Sequence, residues 1–86
     1  MIIESTRQRN ERIAKNDVEY RADMITAGWA FRRGDYLLAE QCYSSAVIHA
    51  ANNVTRSNPE RRRSASRYRA AHALLHRSID LRQATS

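Results

Sequence analysis

The chain has little that would interrupt a helix. Two glycines, Gly28 and Gly34, and one proline, Pro59, leave almost no turn chemistry in 86 residues. Valine occurs only at Val18, Val47 and Val54, so the β-branched runs that favour strands are missing. The lone cysteine, Cys42, excludes an internal disulfide framework and fits a reducing compartment. No apolar run approaches the roughly 18 residues that a membrane span needs. The start Met1-Ile2-Ile3 is too short for the apolar region of a signal peptide. Lysine is scarce as well, because every one of the fifteen basic residues except Lys15 is arginine. Arginine offers carboxylates and phosphates a planar fork that lysine lacks. These absences predict an all-α protein of the cytoplasm with no membrane segment.

What is present is globular in character. Hydrophobic residues make up 42% and charged residues 28%, which separates the chain from disordered tails. The length suits a single helical domain over 1–86, and one of this size buries only about 60% of its unfolded surface. The formal net charge of +6 is unevenly placed. Between residues 35 and 55 the only charged groups are Asp35 and Glu40. From residue 56 on, Arg56, Arg61, Arg62, Arg63, Arg67, Arg69, Arg77 and Arg82 face only Glu60 and Asp80. The last third therefore holds a charge equal to the whole excess.

Three helices follow from capping and periodicity. Residues 5–33 read as the first. Ser5 with Gln8 has capping-box spacing, and Asn16 with Glu19 repeats it, which marks a candidate break and a separate or frayed segment over 1–16. Beyond it run two opposed apolar rows, Val18, Ala22, Ile25 and Trp29 against Tyr20, Met24, Ala27 and Phe31. One neighbour cannot cover both, so Tyr20, Met24, Trp29 and Phe31 are candidate contacts of a homodimer. Gly34-Asp35 suits a helix end followed by an N-cap. A second helix is expected over about 36–54 with Ala39, Tyr43, Ala46 and Ala50 inward. Asn58-Pro59-Glu60 restarts the chain into a third helix reaching about Gln83, with Tyr68, Ala71, His72, Leu75 and Ile79 as its apolar line. The expected architecture is a three-helix bundle: an antiparallel hairpin, a long C-terminal helix and an extended N-terminal helix.

The run from Ala27 to Ala46, through Gly34, Asp35, Tyr36, Ala39 and Tyr43, resembles one tetratricopeptide-type helical hairpin. Alanines in such a hairpin allow close helix approach, and aromatics fill the groove between. Ala51 stands where that family has proline, and no second repeat follows. A single repeat cannot bury its own face, so the helix after Pro59 must close the bundle. That arrangement resembles MIT domains, which bind partner helices in a surface groove.

Several side-chain groups invite a chemical reading. Arg61, Arg62, Arg63, Arg67 and Arg69 lie in the first half of the third helix. There the dipole disfavours positive charge by about 0.3–1 kcal/mol per exposed group. Arginines placed against that bias, with His76 on the same flank as Arg62 and Arg69, predict an anion-binding site for an acidic protein surface or a nucleic-acid backbone. The plain alternative is a solvated charged face. Arg67 and His72 have the Arg-x4-His spacing of HEPN domains, a resemblance that implies a metal-independent ribonuclease using both groups on a ribose phosphate. Against it, His72 falls in the apolar line, which predicts a packed core histidine. His72 with His76 has the spacing of a metal-binding pair, but zinc needs three or four ligands and no metal site is expected. Cys42 and His49 are two turns apart, too far for a nucleophile and its base. Arg62-Arg63-Ser64 and Ser66 resemble a basophilic kinase target. The aromatics are spaced as core residues, not as a stacking platform. No glycine-rich phosphate loop, cofactor motif or small-molecule substrate site stands out. The reading is a non-enzymatic binding module, a regulator or inhibitor, that engages an acidic protein partner through its third helix. Nucleic-acid binding and HEPN-like ribonuclease activity are the alternatives.

Overall fold

The computed structural model describes residues 5–53 and 58–85, with side chains of the latter stretch from residue 62. Three helices form an all-α bundle: α1 over Thr6–Arg32, α2 over Tyr36–Asn52 and α3 over Asn58–Thr85. Helix α2 is central and packs along both α1 and α3. None of the described helices is long and apolar enough to cross a membrane. The body measures 47 × 23 × 18 Å, so few residues lie more than one layer from solvent.

Local chemistry explains each boundary that is described. At the start of α1, Gln8 donates its backbone N–H to Ser5 Oγ at 3.1 Å while Ser5 donates its own to Gln8 Oε1 at 2.9 Å, the expected capping box. At its end Gly34 adopts φ +80°, a left-handed conformation that side chains resist. This lets Asp35 N–H reach back to Ala30 O at 2.9 Å and Gly34 N–H to Phe31 O at 3.0 Å, satisfying two orphan carbonyls. Asp35 then turns from closing one helix to opening the next, accepting from Leu38 N–H at 3.2 Å. The capping of α3, which begins at Asn58, lies outside the described residues.

The break expected at Asn16 does not occur, and α1 runs unbroken through it. Asn16 is buried and faces α2, so its amide is used across the helix interface rather than as a cap. It donates to Arg12 O at 3.0 Å and presents Oδ1 to His49 Nδ1 at 3.0 Å. Residues 6–16 are therefore part of the bundle's first helix.

The core is built from small residues. Ala27, Ala30, Ala39, Ala46, Ala50 and Ala71 are buried, with Tyr20 and Tyr43 as the bulky members. The inner line expected for α2, Ala39, Tyr43, Ala46 and Ala50, is the one observed. Alanine on both sides of a contact lets helix backbones approach closely. Tyr20 joins all three helices. Its ring packs with Ala46, Ala50 and Ala71, and its hydroxyl donates to Arg67 O at 3.1 Å. Burial pushes its phenol pKa up, with the Arg67 guanidinium pulling it partly back.

The apolar line expected for α3 is displaced by part of a turn. Ser64, Ala71 and Ser78 are its buried residues, while His72 is exposed and Tyr68 is 40% exposed. Small size, not hydrophobicity, selects the contact side here. Serines fit the close approach to α2 because each hydroxyl has an acceptor: Ser64 donates to Asn53 O at 2.9 Å and Ser78 to Leu74 O at 2.8 Å. His72 is thus not a core histidine.

Candidate anion-binding face

The carboxylates of the chain are mostly turned inward. Asp17 pairs with Arg67 of α3 and accepts from Asn53 Nδ2 at 2.9 Å. Glu40 pairs with Arg82. Glu19 and Asp23 lie 3.1 and 3.6 Å from His49 Nε2, so His49 bridges α2 to three acceptors of α1. Asp35 caps α2, and Glu11 pairs with Arg7 along α1 at 3.1 Å. Among the described carboxylates only Asp80 has no hydrogen bond, ion pair or capping role.

The exposed charge of α3 is consequently mostly positive, with Asp80 the one described carboxylate on the same flank as Arg62. Arg62, Arg63 and Arg69 are exposed and make no ion pair among the described residues. With a helical step of 100°, Arg62, Arg69 and His76 fall within about 40° of arc on the side of α3 away from α2. Arg62 and Arg69 are two turns apart, about 10 Å along the axis. Arg62, Arg69 and His76 are all exposed. Arg63 lies on the other side, toward α1, where it lines a shallow cleft with Ile13, Asp17, Asn53, Ser64 and Arg67. Arg67 faces the same way but is tied to Asp17 and lies over the Tyr20 ring at 5.4 Å. It serves the bundle rather than a partner. The side chain of Arg61 lies outside the described residues.

A row of rings adjoins the arginines. Tyr68 and His72 stack with centroids 5.6 Å apart and planes 17° apart, and His76 follows at 4.4 Å. His72 Nε2 and His76 Nε2 are 3.2 Å apart, within hydrogen-bonding distance. No third His, Cys, Asp or Glu gathers there, or elsewhere among the described residues, to complete a metal site. The expectation that the aromatics are core residues therefore fails for Tyr68, and for Trp29, which is 54% exposed.

Other expected groupings separate. Arg67 and His72 are about 140° apart around α3; one meets Asp17 and the other stacks on Tyr68, so they do not address a common phosphate. Cys42 is half-buried. Burial, aided by the Asp23 carboxylate, raises its thiol pKa, which disfavours the thiolate that nucleophilic chemistry needs. Ser64 is buried against Asn53 and out of reach of a kinase, whereas Ser66 is exposed. Of the residues expected at an oligomer contact, Tyr20 is consumed by the chain's own core and Met24 and Phe31 pack half-buried against it. Trp29 alone is exposed, with the Arg33 guanidinium 4.1 Å above its ring.

Two features were missed from sequence: the inward use of Asp17, Glu19, Asp23 and Glu40, and the exposed Tyr68–His72–His76 row. The spacing of those rings at i, i+4 and i+8 is visible in the sequence, but their exposure depends on Ser64 and Ser78 taking the contact side. The chain matches no family model, and comparison with curated proteins and with solved structures yields no match either.

Proposed function

We propose that this chain is a non-enzymatic binding module, a regulator or inhibitor, whose α3 engages an acidic protein surface through Arg62, Arg69 and His76. The supporting observation is the sorting of charge. Described carboxylates other than Asp80 are mostly engaged, with Arg67, Arg82, His49 and the α2 cap among their partners, and Arg62, Arg63 and Arg69 are exposed with no ion pair among the described residues. Exposed guanidinium groups without a carboxylate partner contribute little to folding itself. An anionic partner would engage them.

Magnitude favours protein over nucleic acid. Arg62, Arg63 and Arg69 together would neutralise about three phosphates, a salt slope near −2.7, whereas tight backbone binders make about 6–10 such contacts. A few arginines beside an exposed tyrosine are instead what dominates protein interfaces, where Tyr and Arg carry most of the binding energy. The test is charge reversal. Arg62→Glu with Arg69→Glu should leave the fold intact by circular dichroism and abolish capture of acidic proteins from the source cell's extract, with Arg→Lys at both positions retaining part of it. Capture unaffected by the reversal would refute the reading.

The stacked Tyr68–His72 pair beside Arg69 favours a second reading, nucleic-acid binding, because exposed rings can take bases. Anisotropy of labelled mixed-sequence RNA and DNA at two salt concentrations separates the two. A slope of about −6 or steeper, together with loss of binding in Tyr68→Ala, would establish the second reading over the first.

A further inference from the structure

The outer side of α1 carries a row with no counterpart in the chain. Val18 is 68%, Ile25 73% and Trp29 54% exposed, and the exposed Ala22 lies between them. Their spacing of i, i+4, i+7 and i+11 makes a strip about 16 Å long and about one helix diameter, 10 Å, wide. Scattered apolar residues on a surface need no explanation, but a contiguous row at helical spacing does.

The rims of this strip have one sign. Lys15 and Arg33 flank it on one side and Arg21 and Arg32 on the other, all exposed. The carboxylates of this stretch, Asp17, Glu19 and Asp23, point the other way, into Arg67 and His49. From residue 12 to 33 the outer half of α1 therefore carries positive charge only.

We infer that this face docks an acidic amphipathic helix of a partner protein, which packs along α1 as a fourth helix of the bundle supplied in trans. Its apolar residues, at i, i+3 or i+4 and i+7, lie on Val18, Ala22, Ile25 and Trp29, as in helix-on-groove recognition. Its carboxylates, on both edges of that seam, reach Lys15, Arg21, Arg32 and Arg33, the arrangement that sets partner choice in paired helices. Trp29 is the bulkiest anchor, at the C-terminal end of the row, with Arg33 above its ring. A second copy of this chain fits poorly. It would bring the four cations of each protomer against their like, over a strip well short of the roughly 800 Å² per partner that stable interfaces bury. The inference does not depend on the role of α3.

Trp29 is the only tryptophan, so the chain reports its own occupancy. The probe is an 18-residue synthetic helix with leucines at i, i+4, i+7 and i+11 and glutamates on both rims; its control has lysine for every glutamate. Trp29 emission should shift to the blue and saturate with the acidic helix and stay unchanged with the basic one. Ile25→Asp, at an exposed position, should abolish the shift while preserving the helical signal. Lys15→Glu with Arg33→Glu should weaken affinity at least tenfold, and Arg62→Glu with Arg69→Glu should leave it unchanged. That last variant separates this face from the α3 reading. No shift with the acidic helix overturns the inference. So does a shift produced by anionic phosphatidylglycerol vesicles but not by the peptide, which assigns the face to a membrane surface. A shift on raising protein concentration alone, with doubled mass by light scattering, overturns it in favour of a second copy.

Discussion

The two long sides of α1 invert the usual relation between hydrophobicity and burial. The side facing α2 carries Asn16, Tyr20, Ala27 and Ala30, all buried; the side facing solvent carries Val18, Ile25 and Trp29, all more than half exposed. Water alone would favour the opposite choice, since burying a large aliphatic or aromatic side chain is worth about 1.5–3 kcal/mol. Fit decides otherwise. Ala27 and Ala30 meet Ala39 of α2 in one cluster, which permits an approach that a row of Ile and Trp would block. Asn16, Glu19 and Asp23 of the inner side are all directed at His49, although Asp23 Oδ2 is 3.6 Å from it and has no hydrogen-bond partner. The bundle thus keeps its small and paired residues for itself and leaves its large apolar ones outside.

The sharpest way to break this comparison is to truncate an aromatic on each side. Tyr20→Ala should lower the unfolding free energy by about 3–5 kcal/mol, as for other large core truncations, and remove the hydroxyl's hydrogen bond to Arg67 O. That is a large fraction of the stability of a domain this small, about 4–13 kcal/mol by its length. Trp29→Ala removes a larger side chain but should cost no more than about 1 kcal/mol, the worth of the contact with Arg33. Urea denaturation of the two variants decides; equal costs would mean that the outer side is packed in solution.

Overpacking tests the same idea from the inside. Ala27 is fully buried, so Ala27→Leu makes the inner side more hydrophobic yet should destabilise by about 1–3 kcal/mol. A neutral outcome in chemical denaturation would show that close approach is not what selects the side.

The buried phenols provide a pH signature of the inner side. Burial raises the pKa of Tyr20 and of Tyr43, opposed in part by Arg67 and Arg32. The fold therefore holds the neutral phenols, and their contribution is complete below the ordinary value of 10.0. It is lost as pH rises through the higher folded-state values. Melting temperature should fall above about pH 10, and Tyr43→Phe should remove part of that fall.

Much of the fold was legible from local chemistry. Ser5, Gly34 and Asp35 each have a role that only one or two residue types fill, and the alanine line of α2 coincides with a single face. The outward flank of Arg62, Arg69 and His76 was legible for the same reason, since helical spacing alone places it. The errors share one cause. At Asn16, at His72 and in the two rows of α1, periodicity allowed more than one arrangement, and the selection came from residues far along the chain. His49 draws Asn16 inward from 33 positions away, and Ser64 fits beneath Asn53, which turns His72 outward. Nor does charge counting reveal which carboxylates are spent, because Asp17 meets Arg67 across 50 residues.

The smallest predicted effect is the most discriminating for the outer side. Ile25→Asp places a charge in the middle of the most hydrophobic row of the chain. At a position 73% exposed it should change stability by no more than about 0.5 kcal/mol, as surface substitutions do. The new carboxylate would stand among Lys15, Arg21, Arg32 and Arg33, so the electrostatic contribution is if anything favourable. Were the row buried between copies of the chain, the same substitution would place an unpaired charge in an apolar contact and cost several kcal/mol. The loss would then grow with protein concentration, because only an associated state has such a contact to lose. Denaturation midpoints of the variant and the parent, measured at two concentrations a hundredfold apart, separate a side kept open for a partner from one closed by self-association.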